Sequence, residues 1–301
     1  MPEIPDIVLY VNSLDRLLRG QTIESLIVRS PFVVRTVDPP IDAITGQRIE
    51  SFSRIGKRVC WHLSDDLHLV FHLMIAGRFH WSTKSRLPTG KNDLLAIRTK
   101  SGSMMLTEAS SKKRAGLWIV RGEDALRSFD MGGINIMECD FAAFHRQLKS
   151  SNHTLKRAIA DPHLFDGIGN AYGDEILHAS KLSPLRRTQQ LSEEEAHSLF
   201  ESARKVLRMW IDRLASQNKD RFPEKVTAFR PEMAVHGKYR EPCPECNAPI
   251  QRIRYAENEC NYCPGCQTEG RILADRSLSR LLKDDWPKTL DDLEELRDAK
   301  T

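Results

Sequence analysis

The sequence predicts an α+β chain: an amphipathic helix leads into an antiparallel β domain, then a helical domain and a small metal module. Three observations carry this. Apolar residues recur at helical spacing near the start, short β-rich stretches separated by turn residues run from residue 22 to about 122, and a Cys243-x2-Cys246…Cys263-x2-Cys266 cluster follows a long helical pattern.

Ile7, Val8, Tyr10, Val11, Leu14, Leu17 and Leu18 fall on one helical face, and Gly20 supplies the stop. The stretches Thr22–Val28, Val33–Val37, Arg58–Leu63, His68–Phe71, Leu94–Thr99, Ser103–Thr107 and Leu117–Val120 read as strands of a sandwich or a barrel. Residues 123–139, rich in turn formers around Asp130-Met-Gly-Gly133, read as a linker. From Asp140 the pattern is helical, and Ser192-Glu-Glu-Glu195 is a capping box that opens a helix through Trp210 and Leu214. Beyond the cysteines, Leu278, Leu281, Leu282, Leu290, Leu293 and Leu296 predict two short helices broken at Pro287.

The chain has 301 residues and a formal net charge of +4, which admits a nucleic-acid partner without requiring one. No apolar run approaches the roughly 18–20 residues that span a bilayer, and the start lacks a signal-peptide pattern, so an intracellular protein without a membrane partner is expected. Four of the seven cysteines form the paired cluster. Two Cys-x2-Cys knuckles suit one tetrahedral Zn2+, and a site closed by Cys243, Cys246, Cys263 and Cys266 is structural rather than catalytic. Cys260 is read as a spare thiol. The glycine-centred run Asp166-Gly-Ile-Gly-Asn170 lies between two helical stretches, where glycines let the backbone approach another surface and leave helix N-terminal amides for an anion.

Three separated motifs resemble the formamidopyrimidine-DNA glycosylase / endonuclease VIII family. The run from Asn152-His-Thr-Leu-Lys156 through Gly167-Ile-Gly-Asn170-Ala-Tyr-Gly-Asp-Glu175 to Leu182-Ser-Pro184 is similar to its helix–two-turns–helix. The cysteine ribbon after Val235-His-Gly-Lys238 is similar to its zinc finger, and Met1-Pro2-Glu3 to its N-terminal signature. The resemblance implies a β-sandwich catalytic domain over 1–122, a helix–two-turns–helix DNA-binding domain over 140–231, a zinc finger over 232–270 and a helical extension over 271–301.

It also implies a chemistry. With Met1 removed, Pro2 is a secondary amine with a pKa near ~8 that attacks the deoxyribose C1′, expels the damaged base and leaves an iminium that promotes strand cleavage by β- or β,δ-elimination. Glu3 and, behind it, Asp6 would move protons, and Lys57 would act near the phosphate. Met74 would fill the gap left by an extruded base, while Lys113, Arg114, Lys156, Asn170, Lys238 and Asn258 would hold DNA, duplex or single-stranded. The expected protein is a monomeric base-excision-repair enzyme of the bacterial cytoplasm, associated with the nucleoid. The other reading is a catalytically weak binder of damaged or branched DNA, against which the trio Pro2, Glu3 and Lys57 speaks.

Departures from the family pattern bear on substrate. Asp6 is one methylene shorter than the usual acid, Ala115 replaces a wedge phenylalanine in Ser111-Lys-Lys-Arg-Ala-Gly116, Asn258 replaces a zinc-hairpin arginine, and Gln217–Pro231 lacks the glycines of a base-capping loop. These predict oxidised pyrimidines, ring-opened purines, abasic sites or single-stranded lesions ahead of 8-oxoguanine.

Overall fold

The computed structural model describes residues 1–255, 258–275 and 286–298. The chain divides into two compact units: Met1–Met131 with Met209–Ala228, and Gly132–Arg208 with the chain from Phe229 onward.

The first unit opens with α1 (Ile4–Leu18), whose Ile7, Tyr10, Leu14 and Leu18 are fully buried. Gly20 at φ 81° turns the chain into β1 (Ile23–Val28). There follow β2 (Ile49–Ile55), β3 (Arg58–Leu63), β4 (Leu67–His72), β5 (Gly77–Ser82), β6 (Asp93–Thr99), β7 (Gly102–Glu108), β8 (Gly116–Arg121) and the short α2 (Glu123–Arg127). Two four-stranded sheets result, ordered β1-β6-β7-β5 and β2-β3-β4-β8, with every pairing antiparallel. Their inner faces share one apolar core: Trp61, Leu69 and Phe71 from one sheet and Phe79, Leu95 and Leu106 from the other, with α1 closing it. The outer face of the second sheet is covered by its own cluster, Cys60 and Val70 under Leu126 and Phe129. That cover explains why β4 is buried along nearly its whole length.

Two strands escape the alternation rule and one expected strand does not form. In β2, Ser51, Ser53 and Arg54 dilute the apolar pattern, and β5 begins at a glycine and carries Arg78 and His80; both are held by cross-strand pairing. Over Val33–Val37 the backbone instead makes a single 3-10 turn at Pro31–Val33, and only Val34 bridges to Leu117. Proline fixes the turn and removes a ladder donor there.

The second unit contains α3 (Phe141–Lys149), α4 (Leu155–Ala160), α5 (Asn170–Ala179) and the part of α6 (Glu193–Gln217) before Met209. Phe144 meets Phe165 and Phe200 at ring-centroid distances of 5.1 and 5.2 Å, forming the helical core. The capping box forms as read: Glu195 N–H donates to Ser192 Oγ at 3.1 Å and Ser192 N–H to Glu195 Oε2 at 2.9 Å. A hairpin of β9 (Gln251–Tyr255) and β10 (Asn258–Tyr262), then α7 (Pro264–Gln267), builds the cysteine module. Of the C-terminal helices, α8 (Leu290–Asp298) is present, while Leu278, Leu281 and Leu282 lie outside the described residues.

Candidate functional site

At the amino terminus Pro2 is buried, and Glu3 and Asp6 are 2% and 0% exposed. Asp6 accepts the Glu3 N–H at 3.1 Å as part of a capping box, so the first turn of α1 fixes the Glu3 backbone and with it Pro2. The terminal amine, carried by Met1, is held below its ordinary value by burial; Arg78 and Lys57 add to this, while Glu3 and Asp6 oppose it. The fold thus brings Glu3, Asp6 and Lys57 within electrostatic reach of one amine, together with Arg78, which sequence reasoning missed. Lys57 is half-buried behind Gly56, whose φ of 60° makes the β2–β3 turn.

The turn between β4 and β5 is tightly specified. Gly77 N–H donates to Leu73 O at 2.8 Å, and a Cβ at Gly77 would sit 2.2 Å from that oxygen. Arg78 donates to the carbonyls of Ile75 and Gly77 at 3.0 and 2.6 Å. Met74 adopts φ 53° and donates its N–H to His72 Nδ1 at 3.1 Å. Burial, with Arg58 and Lys57 nearby, pushes His72 down to about 4, so it stays a neutral acceptor. Met74 is half-buried, whereas the adjoining Ile75 is 63% exposed. Lys113 and Arg114 lie on a loop pinned by buried Glu108, whose Oε2 accepts the N–H groups of Arg114 and Ala115 at 2.8 and 3.0 Å. Ala115 is 2% exposed in the sandwich core.

In the second unit, Gly167 at φ 74° turns the chain before α5. Asn170 Nδ2 donates to Glu259 O of the cysteine hairpin at 2.7 Å. Lys156 is 7% exposed; its Nζ lies 2.5 Å from both the Asn170 carbonyl and Asp174 Oδ1. Asp174 Oδ2 also takes His236 Nδ1 at 2.7 Å and Asn261 N–H at 3.1 Å. Glu175 accepts three backbone N–H groups, from Ala234, Val235 and His236, at 2.8–2.9 Å. Lys238 pairs with Glu241 at 2.9 Å, and Asn258 is exposed at the start of β10. Phe229, 66% exposed, stacks on His236 at 5.4 Å. Asp174, Glu175 and His236 lie within the motifs that carry the resemblance, but nothing local shows that the helix residues bond the distant loop.

Cys243, Cys246, Cys263 and Cys266 place their sulfurs within 4.8 Å of one another, with contacts of 3.8 Å for Cys243–Cys266 and 3.3 Å for Cys246–Cys263. Four thiolates about 2.3 Å from a tetrahedral Zn2+ stand about 3.8 Å apart, so the donor set fits a metal ion. His178 Nε2 lies 3.3 Å from Cys243 Sγ, and the backbone N–H groups of Glu245 and Cys266 point at Cys243 and Cys263. Cys260 stands outside the cluster, its thiol pushed up by burial in β10.

An N-terminal helix closing an antiparallel sandwich, a glycine turn between helices and a four-cysteine hairpin together define a class of DNA repair glycosylase. The family model for the formamidopyrimidine-DNA glycosylase N-terminal domain matches residues 1–113, and that for its H2TH domain matches residues 135–221. The chain belongs to the formamidopyrimidine-DNA glycosylase family, whose members act in base excision repair. The Thermus thermophilus formamidopyrimidine-DNA glycosylase is 30% identical over 279 residues, covering 90% of this chain and all of that one. The Lactococcus lactis subsp. cremoris protein is 28% identical over 275 residues, covering 89% and 99%. A crystal structure of the Lactococcus lactis enzyme with abasic-site DNA aligns at TM-score 0.78 and 27% identity, covering 88% of this chain and 99% of that one. A variant of that enzyme in complex with Fapy-dG DNA aligns at TM-score 0.79 and 27% identity, covering 89% and 100%. No helix among the described residues is long and apolar enough to cross a membrane.

Proposed function

We propose that the chain is a DNA glycosylase with abasic-site lyase activity, acting through Pro2 on damaged duplex or single-stranded DNA. The observation that carries this is the set Glu3, Arg78, Asp6 and Lys57 around the amino terminus, where burial lowers the pKa of the Met1 amine and Pro2 itself is buried.

Once Met1 is removed, the Pro2 nitrogen bonds to C1′ as the bond from C1′ to the base breaks, and the base leaves with a proton. The C1′–O4′ bond then breaks as Glu3 protonates O4′, which opens the sugar and leaves C1′ doubly bonded to the Pro2 nitrogen; this iminium acidifies C2′–H. Loss of that proton breaks the C3′–O bond and releases the 3′ phosphate as leaving group; water then hydrolyses the iminium and restores Pro2. Glu3, held at the α1 N-terminus, is the proton carrier, Asp6 positions it, and Lys57 offsets charge on the phosphate.

For DNA holding, exposed Arg114 on its pinned loop and exposed Asn258 on the hairpin suit direct contact, with half-buried Lys113 and Lys238 adding charge nearby in sequence. Lys156 and Asn170 act differently from a plain phosphate binder. Their polar groups bond to Asp174 and the cysteine hairpin, which supports a role in fixing the Gly167–Asn170 turn for an incoming phosphate. The four cysteines would hold one structural Zn2+, which cross-links the hairpin and supplies no step of the reaction. For filling the gap of an extruded base, half-buried Met74 is less suited than Ile75, its exposed neighbour on the same turn.

Ala115 in the core, Asn258 in place of arginine, and a 218–228 segment anchored by buried Phe222 and Val226 all support the preference for oxidised pyrimidines and abasic sites over 8-oxoguanine. Borohydride trapping on an abasic oligonucleotide tests the chemistry: a covalent adduct is expected from the wild type and none from Pro2→Gly. Absence of a wild-type adduct, with DNA still bound, would instead support the catalytically weak binder. Equal excision of 8-oxoguanine and 5-hydroxyuracil would refute the lesion preference alone.

A further inference from the structure

The first unit holds a second group of metal-ligating side chains on the outer face of the β2-β3-β4-β8 sheet. His68 on β4 is 4% exposed, and its Nε2 is a buried nitrogen that makes no hydrogen bond. Around it stand Asp66, in the β3–β4 turn, and Glu123, the first residue of α2; one ligand atom from each of the three lies within 4.8 Å of the others. Two chain segments far apart in sequence are brought together by the Gly122 N–H, which donates to Asp66 O at 2.9 Å. We propose that Asp66, His68 and Glu123 bind a first-row divalent cation, with Zn2+ as the representative ion.

The spacing of two ligand atoms suits a bridging cation. His68 Nε2 lies 3.4 Å from Asp66 Oδ1 without forming a hydrogen bond. Two ligands each about 2.1 Å from a tetrahedral ion are separated by about 3.4 Å. The other ring nitrogen is already engaged: His68 Nδ1 is 3.1 Å from His62 Nδ1, and His62 Nε2 is 2.7 Å from Ser53 Oγ. Ser53 also hydrogen-bonds the Cys60 thiol. With that hydroxyl proton turned to sulfur, His62 Nε2–H donates to Ser53, and His62 Nδ1 accepts the proton of His68 Nδ1. This tautomer, assigned from the network, leaves a bare lone pair on His68 Nε2 directed at the two carboxylates. In the opposite tautomer Nε2–H would face Asp66 Oδ1 at 3.4 Å without making a hydrogen bond. A histidine whose second nitrogen is fixed by a further polar group is the usual arrangement of a ligating imidazole.

Imidazole with carboxylates selects the zinc, nickel and copper group over Mg2+ or Ca2+, which prefer all-oxygen shells. Asp66 and Glu123 are both exposed, so water completes the shell, and the ion would tie the β3–β4 turn to the start of α2. The inference is independent of the glycosylase chemistry.

The test is calorimetric titration of Zn2+ into the full-length protein already carrying one zinc per chain on its cysteines. A second equivalent is expected to bind. The exposed pair Asp66→Asn with Glu123→Gln should weaken it at least about tenfold while the cysteine-bound zinc count stays at one, and His68→Ala should abolish it. No second equivalent in the wild type, or unchanged affinity in the double variant, overturns the proposal.

Discussion

In the first unit the buried carboxylate and imidazole side chains are few: Glu3 and Asp6 at the amino terminus, Glu108 under the Lys113 loop and His68 by the α2 junction. The second unit instead runs charge through its centre, where Lys156, Asp174, Glu175 and His236 join α4 and α5 to the cysteine hairpin. The apolar sandwich holds its shape through packing and needs few buried charges to do so. Among the described residues, the apolar cluster at the metal module is small, with Val235, Cys243, Ile250 and Cys263 buried at its centre, and paired charges hold a turn and a hairpin at fixed geometry. Substitutions at polar sites should therefore act on stability in the second unit and on activity in the first.

Metal removal gives the largest separation. Chelation, or Cys263→Ala, removes a ligand set that in zinc-finger peptides is worth about 10–16 kcal/mol, so the hairpin should lose its fold and duplex affinity should fall at least about a hundredfold. Scanning calorimetry should show the loss in one transition and leave the sandwich transition in place. Equal collapse of both would break the comparison.

Asp174→Asn comes next. The substitution preserves shape but leaves Lys156, 7% exposed, without its counter-charge, a change that typically costs about 3–5 kcal/mol. The pH dependence has a defined sign. Burial alone would raise the Asp174 carboxyl, but Lys156 and His236 outweigh it and hold the pKa below 3.8. The folded-state value is depressed, so the stabilisation is complete above the ordinary carboxyl range and is lost as pH falls through the folded-state pKa. Wild-type melting should carry an acid limb below about pH 4 that the asparagine variant lacks; an identical limb in both would remove Asp174 from the account.

Legibility in the sequence divides along the same line. The α1 face, the Ser192–Glu195 box and the four cysteines were readable because each is a local pattern, with partners a few residues away or a spacing that only one metal geometry satisfies. The second unit's charge network was not, since Asp174 looks like any helical carboxylate until His236, 62 positions on, is folded against it. Strands β2 and β5 were hidden because pairing, not alternation, makes them. At the β4–β5 turn the sequence drew attention to methionine as the flexible filler. Exposure is set by backbone there: with Met74 at φ 53°, its neighbour Ile75 is the side chain presented to solvent.

That turn gives a sharper contrast. Ile75→Ala removes an exposed side chain, so melting should move by no more than about 0.5 kcal/mol. Excision of a base lesion from duplex should nevertheless fall about tenfold or more, and lyase activity on single-stranded abasic DNA, which has no partner strand to keep open, should be spared. The same profile from Met74→Ala, with Ile75→Ala inert, would return the role to methionine.

The smallest effect concerns Arg78, whose charge helps depress the Met1 amine and would act likewise on Pro2 once Met1 is removed, while its guanidinium braces the Ile75 and Gly77 carbonyls. An amine with a lowered pKa stays neutral to lower pH, so replacing Arg78 by methionine lets it keep its proton further up the scale. The acid limb of the borohydride-trapping profile should then move to higher pH, with trapping near pH 6.5 reduced about two- to fivefold and the alkaline plateau unchanged, as suits a partly screened charge. Arg78→Lys separates the two roles, because it retains the charge and loses the fork. If the lysine variant restores the wild-type limb, Arg78 acts on the amine through its charge. If both variants lower trapping equally at every pH, it acts only by bracing the turn, and the first unit's site depends on fixed geometry as much as the second does.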